Sequence, residues 1–190
     1  IKNAKKIKNI PTTPVNEEVL DSFIKTSRNF IGNSNSLHNL GVNSKKLEEQ
    51  ATKQISDILK IDNFDIIYTS GATESNNTAI KGICEKYKNR GKRIITTNLE
   101  HSSIYGPLEY LEEQGFVIEY LKTNNGVIDL NHLKELLANN DVLLVTISSV
   151  NSETGILQPI NEIGKIVKEY PKTFFHVDMT QSIGKINISF

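Results

Sequence analysis

From Asp65 onward the hydrophobic positions switch regularly between two periods. Short β-branched or apolar runs at 65–69, 93–97, 117–121, 142–148 and 173–178 have the length and composition of strands. Between them, segments near 74–89, 103–114, 130–138 and 161–169 repeat their apolar residues at helical spacing. Strands alternating with helices of these lengths predict an α/β fold, a largely parallel sheet with helices on both faces. Asn124-Asn125-Gly126 predicts a turn, and Asp129 an N-cap for the helix carrying Leu130, Leu133, Leu136 and Leu137.

Upstream the pattern is purely helical. Asn16 before Glu17 and Glu18 is an N-cap with acids in the first turn, and the helix it starts carries Val19, Leu20, Phe23 and Ile24 inward. Gly32 to Ser36 is a polar loop, with Leu37-His38-Asn39-Leu40-Gly41 after it. A second helix over about 43–60 shows Leu47, Ala51, Ile55 and Ile58 on one side, a narrow stripe that predicts one buried face. Residues 1–15, basic and then rich in Pro and Thr, predict an extended arm, and 16–190 reads as one domain. The chain opens without Met, and Ile186-Asn187-Ile188-Ser189-Phe190 alternates like a strand just starting, so it reads as the first part of something longer.

Composition narrows the classes of function. The 190 residues suffice for a domain with a real core, and 22 basic against 22 acidic residues leave no footprint for direct nucleic-acid or anionic-membrane binding. No apolar run approaches the roughly 20 residues of a membrane span, and no signal-peptide pattern opens the chain. One cysteine forms no internal disulfide framework, which agrees with a reducing cytosol and a cytoplasmic protein.

In parallel α/β sheets the polar residues at the carboxyl ends of strands line the ligand crevice. Here those are Ser70 to Thr73, Glu100-His101-Ser102, Ser148 to Gly155, and Asp178 to Gln181. Ser70-Gly71-Ala72-Thr73 leads from a strand pattern into a helix pattern, which gathers free backbone N–H groups at the positive end of the helix dipole. Neither the Gly-x-Gly-x-x-Gly nor the P-loop pattern fits, so a phosphate held there would belong to another cofactor. Taken alone, the four residues fit an ordinary strand-to-helix turn better. No set of His, Cys and carboxylates has metal-like spacing, and no Gly-x-Ser-x-Gly elbow occurs.

Six stretches in order carry a family resemblance. They are Thr12-Thr13-Pro14-Val15, Ser36-Leu37-His38-Asn39-Leu40-Gly41, Thr69 to Asn77 (Thr-Ser-Gly-Ala-Thr-Glu-Ser-Asn-Asn), Glu100-His101-Ser102-Ser103, Val150-Asn151-Ser152-Glu153-Thr154-Gly155, and His176-Val177-Asp178-Met179-Thr180-Gln181-Ser182. With these the sequence resembles the cysteine desulfurases (NifS/IscS-like branch), enzymes of the class-V aminotransferase family that depend on pyridoxal 5'-phosphate (PLP). The resemblance implies the large domain of the PLP-dependent transferase fold type I, incomplete at its end. It implies that the N–H groups of Ala72 and Thr73, with the Thr73 hydroxyl, hold the PLP phosphate. His101 would stack on the ring and shuttle protons as the catalytic residue. Asp178 would pair with the pyridine nitrogen, Gln181 with the phenolic oxygen, and Asn151 with the ring or the substrate carboxylate.

It also implies L-cysteine as substrate, L-alanine and a persulfide as products, a homodimer, and a sulfur-accepting protein of iron–sulfur cluster assembly or tRNA thiolation. Another class-V enzyme such as a selenocysteine lyase, or a non-catalytic dimerisation or docking module, is the alternative. The family's Schiff-base lysine follows the Gln181 position by some twenty residues in a Ser-x-His-Lys motif, so this chain alone is expected to turn over nothing. The family's Asp-Asn-Ala-Ala-Thr-Thr near its start reads Lys8-Asn9-Ile10-Pro11-Thr12-Thr13 here.

The remaining candidates read as structural. His38 and His176 are assigned supporting or packing roles, and His132 and Lys185 solvated positions. Cys84, sharing a helical face with Ile80, Ile83 and Tyr87, is expected in the core.

Overall fold

The computed structural model describes residues 14–61, 64–139 and 141–186. The chain divides into two compact units, one running to Tyr68 and the other from Thr69 to Ser189. The arm prediction falls almost wholly on residues outside those described, as do Thr12 and Thr13.

The first unit holds α1 (Glu17–Asn29) and α2 (Asn39–Leu59). Asn16 caps α1 as predicted, its side-chain oxygen accepting from Glu18 N at 2.8 Å. The helix starts there because Asn satisfies a donor that has no partner within the helix. α2 begins four residues earlier than the apolar stripe implies. His38 is its N-cap, with Nδ1 accepting from Gly41 N at 3.3 Å. Gly41 is buried, and a Cβ there would come within 2.4 Å of Ser36 O and 2.5 Å of Asn33 O. The Ser-Leu-His-Asn-Leu-Gly stretch is therefore a cap and a close backbone approach.

Three expectations upstream of Ser70 fail. Val19 and Phe23 are 59 % and 68 % exposed rather than inward, and no residue of α1 is buried. Only Gly41 is buried on α2, with Ile55 and Ile58 exposed. Two helices give each other too little apolar surface to cover such stripes, and no described residue covers them. The run 65–69 is extended but is not a strand. A strand exists by sharing a ladder, and no described strand pairs with this run.

The second unit follows the predicted alternation closely. Its elements are α3 (Ala72–Tyr87), β1 (Arg93–Thr96), α4 (Ser102–Glu113), β2 (Val117–Tyr120), β3 (Thr123–Asn124), β4 (Val127–Ile128), α5 (Leu130–Leu137), β5 (Val142–Ser148), α6 (Ile160–Lys168) and β6 (Phe174–Asp178). The sheet order is β2-β1-β5-β6, all parallel. One face packs Ile94, Leu143 and Leu144 against Ile80 and Cys84 of α3 and Ile104, Leu108 and Leu111 of α4. The other packs Ile95, Val145 and Ile147 against Leu133 and Leu137 of α5 and Ile163, Ile166 and Val167 of α6. β5 is buried from Val142 to Ile147, as expected of a strand covered on both faces.

β3 and β4 form a small antiparallel hairpin over the predicted turn. Asn125 and Gly126 both take positive φ (49° and 82°), the pairing that a two-residue hairpin with right-handed twist requires. Asp129 caps α5, accepting from Asn131 N at 2.9 Å and His132 N at 3.3 Å.

Candidate active site

The carboxyl ends of β1, β5 and β6 and the start of α3 converge through side-chain hydrogen bonds. α3 begins at Gly71, which offers no side chain, and no described side chain caps its first N–H groups. One nearby donor is already used. Glu74 Oε2 accepts from Ser70 N at 2.7 Å and from Ser70 Oγ at 2.6 Å. Those bonds hold the Glu74 carboxyl below its usual range. Among the donors left at this turn are the N–H groups of Ala72 and Thr73.

One turn along α3, buried Asn76 donates through Nδ2 to Asp178 Oδ2 at 2.9 Å. Asp178 ends β6, and its Oδ1 accepts from Thr180 N at 2.9 Å. Burial alone would raise the Asp178 carboxyl, but the bonds from Thr180 and Asn76 and the nearby His176 outweigh it, and the net shift is downward. Asp178 is therefore an anion with two ordered donors. Four residues of helix separate Ala72 from Asn76, about 6 Å along the axis. The residue that holds the Asp178 carboxylate thus stands one helical turn from the start of α3.

After β1, Glu100 is buried and bridges to β5. Its Oε2 accepts from the N–H (2.8 Å) and the hydroxyl of Ser148, and its Oε1 accepts from Thr97 Oγ1 at 2.7 Å. Burial raises its carboxyl against those bonds. His101 caps α4, Nδ1 accepting from Ser103 N at 3.1 Å, while its ring stays exposed.

Asn151, after β5, is a local hub. Its Nδ2 donates to Leu99 O at 2.7 Å, and its Oδ1 accepts from Glu153 N, Thr154 N and Thr154 Oγ1. One Nδ2 hydrogen remains for a ligand. Gln181 lies half-buried in the turn after β6, and no described residue bonds its side chain.

The structure thus brings Asp178, His101 and Asn151 to the sheet ends beside the turn at Ala72 and Thr73. Sequence reasoning missed Asn76, Ser103, Glu100 and Thr180 as their supports. All four lay inside the stretches that carry the resemblance, and that was the one available signal. His176, largely buried and pushed down by burial, pairs its Nδ1 with Thr146 Oγ1 at 2.8 Å, a supporting role as expected. His132 is not simply solvated, because its Nδ1 accepts from Lys122 N at 3.1 Å and ties α5 to the chain after β2. Cys84 is fully buried, as expected, and burial pushes its thiol up to about 12. Lys185 is exposed. Among the described residues no group of His, Cys, Asp and Glu could hold a metal ion.

The sequence pattern described as Aminotransferase class-V matches residues 8–190. The chain belongs to the class-V aminotransferase family. Within that class-V family it is 46% identical over 181 residues to the cysteine desulfurase IscS of Buchnera aphidicola subsp. Acyrthosiphon pisum (strain 5A), covering 93% of this chain and 44% of that protein. It is 42% identical over 179 residues to the mitochondrial cysteine desulfurase of Candida albicans, covering 93% of this chain and 36% of that one. The chain therefore spans less than half the length of these curated relatives. Among solved structures it superposes on a NifS-like protein with a TM-score of 0.90 at 36% identity, over 96% of this chain and 50% of the other. It superposes on SspA in complex with cysteine with a TM-score of 0.86 at 32% identity, over 95% and 52%. The parallel α/β sheet with flanking helices, expected from the alternation, and the fold implied by the resemblance are thus shown.

The geometry suits the cofactor of the class-V family. PLP carries a phosphate dianion at one end and a basic ring nitrogen at the other. An uncapped helix start and a carboxylate held ionised by a residue of the same helix are a donor set and an acceptor of matching chemistry.

Proposed function

We propose that this chain is the cofactor-cradling part, within 16–190, of a PLP-dependent cysteine desulfurase. The observation that carries the proposal is Asp178, anionic and doubly anchored, held by Asn76 one helical turn after the uncapped start of α3 at Ala72 and Thr73. The 46% identity to a cysteine desulfurase supports the choice of reaction.

The N–H groups of Ala72 and Thr73, with the Thr73 hydroxyl, hold the phosphate, whose charge the α3 dipole favours. Asp178 accepts a hydrogen bond from the protonated ring nitrogen and keeps that proton in place. His101 lays its exposed ring against the cofactor. Its Nδ1 is spent on the α4 cap, so Nε2 is the atom at which it hands over a proton. Gln181 donates to the phenolic oxygen. The free Nδ2 hydrogen of Asn151 meets the ring or the substrate carboxylate. When bound, PLP supplies an electron sink that activates the carbon–sulfur bond of L-cysteine. The sulfur leaves as a persulfide on a cysteine thiolate, and L-alanine remains. Cys84, buried and with its thiol pushed up to about 12, is not that thiolate.

The acting enzyme is a homodimer in a reducing compartment and delivers sulfur to an iron–sulfur scaffold or a tRNA-thiolating protein. The test is turnover by the protein at its natural length. L-cysteine with a reductant should yield equal amounts of alanine and sulfide, and Asp178→Ala should lower the rate by orders of magnitude. Release of alanine from selenocysteine but not cysteine would replace this reaction with that of a selenocysteine lyase. Lack of turnover with PLP bound would favour a docking module.

A further inference from the structure

Asn76 sits in the interior of α3, 4% exposed, and contributes nothing to the apolar packing of that helix. Its amide contacts two polar groups from different elements. A carboxylate only accepts, so the atom facing Asp178 is Nδ2. That nitrogen carries two hydrogens and both are used. One goes to Asp178 Oδ2 on β6 and the other to Ser103 Oγ on α4, each at 2.9 Å.

Ser103 Oγ, having accepted from Asn76, has its own hydrogen free for His101 Nδ1, 3.0 Å away. The same Nδ1 accepts the Ser103 N–H, so it carries no hydrogen, and the proton of the neutral ring resides on Nε2. The bonds therefore run outward from one amide in fixed directions, to Asp178 on one side and through Ser103 to His101 on the other. Thr180 N holds Asp178 Oδ1, and Asn76 holds Oδ2. Two donors on the two oxygens fix the plane of the carboxylate.

We infer that Asn76 is a positioning residue of the cofactor site: it sets the plane in which Asp178 meets the ring nitrogen and, through Ser103, registers that carboxylate against the His101 ring. The inference rests on the PLP-dependent reading above. Asn76 touches neither substrate nor cofactor and acts through Asp178. With Asn76 gone, Asp178 keeps one anchor and faces Glu100 and His176 with its orientation free.

The test uses the protein at its natural length, unaltered and as Asn76→Leu, which keeps the branched heavy-atom skeleton and removes both N–H donors. PLP affinity is titrated by absorbance, the pH at which the bound cofactor's absorbance changes is recorded, and the melting temperature of the cofactor-free form is measured separately. Asn76→Leu should weaken PLP binding on the order of tenfold, the loss of one hydrogen bond to a charged group. It should also shift the absorbance pH profile, which a purely structural role would leave in place. Glu100 and His176 are unchanged in the variant, so a shift reports Asp178 or, through Ser103, His101.

If the unaltered protein binds no PLP, the cofactor reading falls and this inference with it. If it binds PLP and Asn76→Leu matches it in affinity and pH profile, the inference is wrong and the reading stands. Should Asn76→Leu fail to fold, Ser103→Ala removes the second anchor of the same amide. It should weaken PLP binding two- to fivefold, and unchanged binding would overturn the coupling.

Discussion

Glu100 accepts from the backbone N–H of Ser148 at 2.8 Å and from the same residue's hydroxyl, joining the loop after β1 to the end of β5 inside the sheet. Thr97 Oγ1 adds a third donor at 2.7 Å. Glu100→Ala would strand a buried N–H and two hydroxyls, and unpaired groups of this kind cost about 1–3 kcal/mol each. The expected loss in a urea denaturation is about 3 kcal/mol. Glu100→Gln keeps an acceptor for Ser148 and a donor for Thr97 Oγ1, so it should cost less than half as much. Equal costs for the two substitutions would show that the hydrogen bonds are not what Glu100 provides.

Glu100 and Asp178 pull stability in opposite directions with pH. The folded Asp178 carboxyl lies below its ordinary value, so its contribution is present above that value and is lost as pH falls through the lower, folded one. Glu100 is raised by burial, so its contribution is present below the ordinary Glu value and is lost as pH rises through the raised one. Denaturation curves from about pH 3 to 8 should show two trends. The stability advantage of the unaltered protein over Asp178→Asn should shrink toward acid. Its advantage over Glu100→Gln should shrink as pH climbs above the Glu range. A gap that stays constant across the range in either comparison would contradict the corresponding shift.

Much of this architecture could be read in the sequence because its signals are local. Asn16 and Asp129 start helices with bonds to residues two and three positions on, and the Asn125-Gly126 pair declares its hairpin by backbone preference alone. β5 was legible because five apolar residues and the β-branched Thr146 run without a break from Val142 to Ile147. What failed depends on partners distant in the chain. The run 65–69 has strand composition but no ladder to share, and the apolar stripe of α1 has no described surface against it. Asn76 is a mid-helix polar residue, and its role appears only once β6 and α4 are known to meet beside it. The polar residues at the carboxyl ends of the strands were recoverable because parallel strands deliver them to one end of the sheet. The groups that hold them were not.

Cys84 offers a check on which face of α3 is buried. It is fully enclosed beside Ile80, Ile94 and Leu143, and its thiol is pushed up to about 12 from an ordinary 9.0. By thiolate fraction alone, alkylation of the native protein at neutral pH should run about a thousandfold slower than in denaturant. Mass spectrometry of iodoacetamide-treated protein would measure it. Rapid labelling of Cys84 in the folded state would mean that α3 does not pack as described.

Asn151 separates two functions that one side chain performs. Its Oδ1 gathers three donors from Glu153 and Thr154 and shapes the loop after β5, while its Nδ2 reaches Leu99 O in the loop after β1. Asn151→Asp retains the acceptor and so the loop, but it sets a carboxylate oxygen against the Leu99 carbonyl 2.7 Å away, where a donor had been. The two loops should part at that point. Stability should fall by about 1–3 kcal/mol, the cost of a buried polar pair without a proton between them. The Nδ2 hydrogen offered to the ring or the substrate carboxylate would also be gone, and a negative charge would stand in its place. On the proposed reading, KM for L-cysteine of the protein at its natural length should rise at least tenfold while PLP affinity changes less, because the proposed cofactor contacts of Asp178 and the α3 N–H groups are untouched. Asn151→Ala should lose the loop as well and cost more stability. If Asn151→Asp left KM unchanged, Asn151 would be a loop-forming residue alone, and the substrate carboxylate would have to find its donor elsewhere.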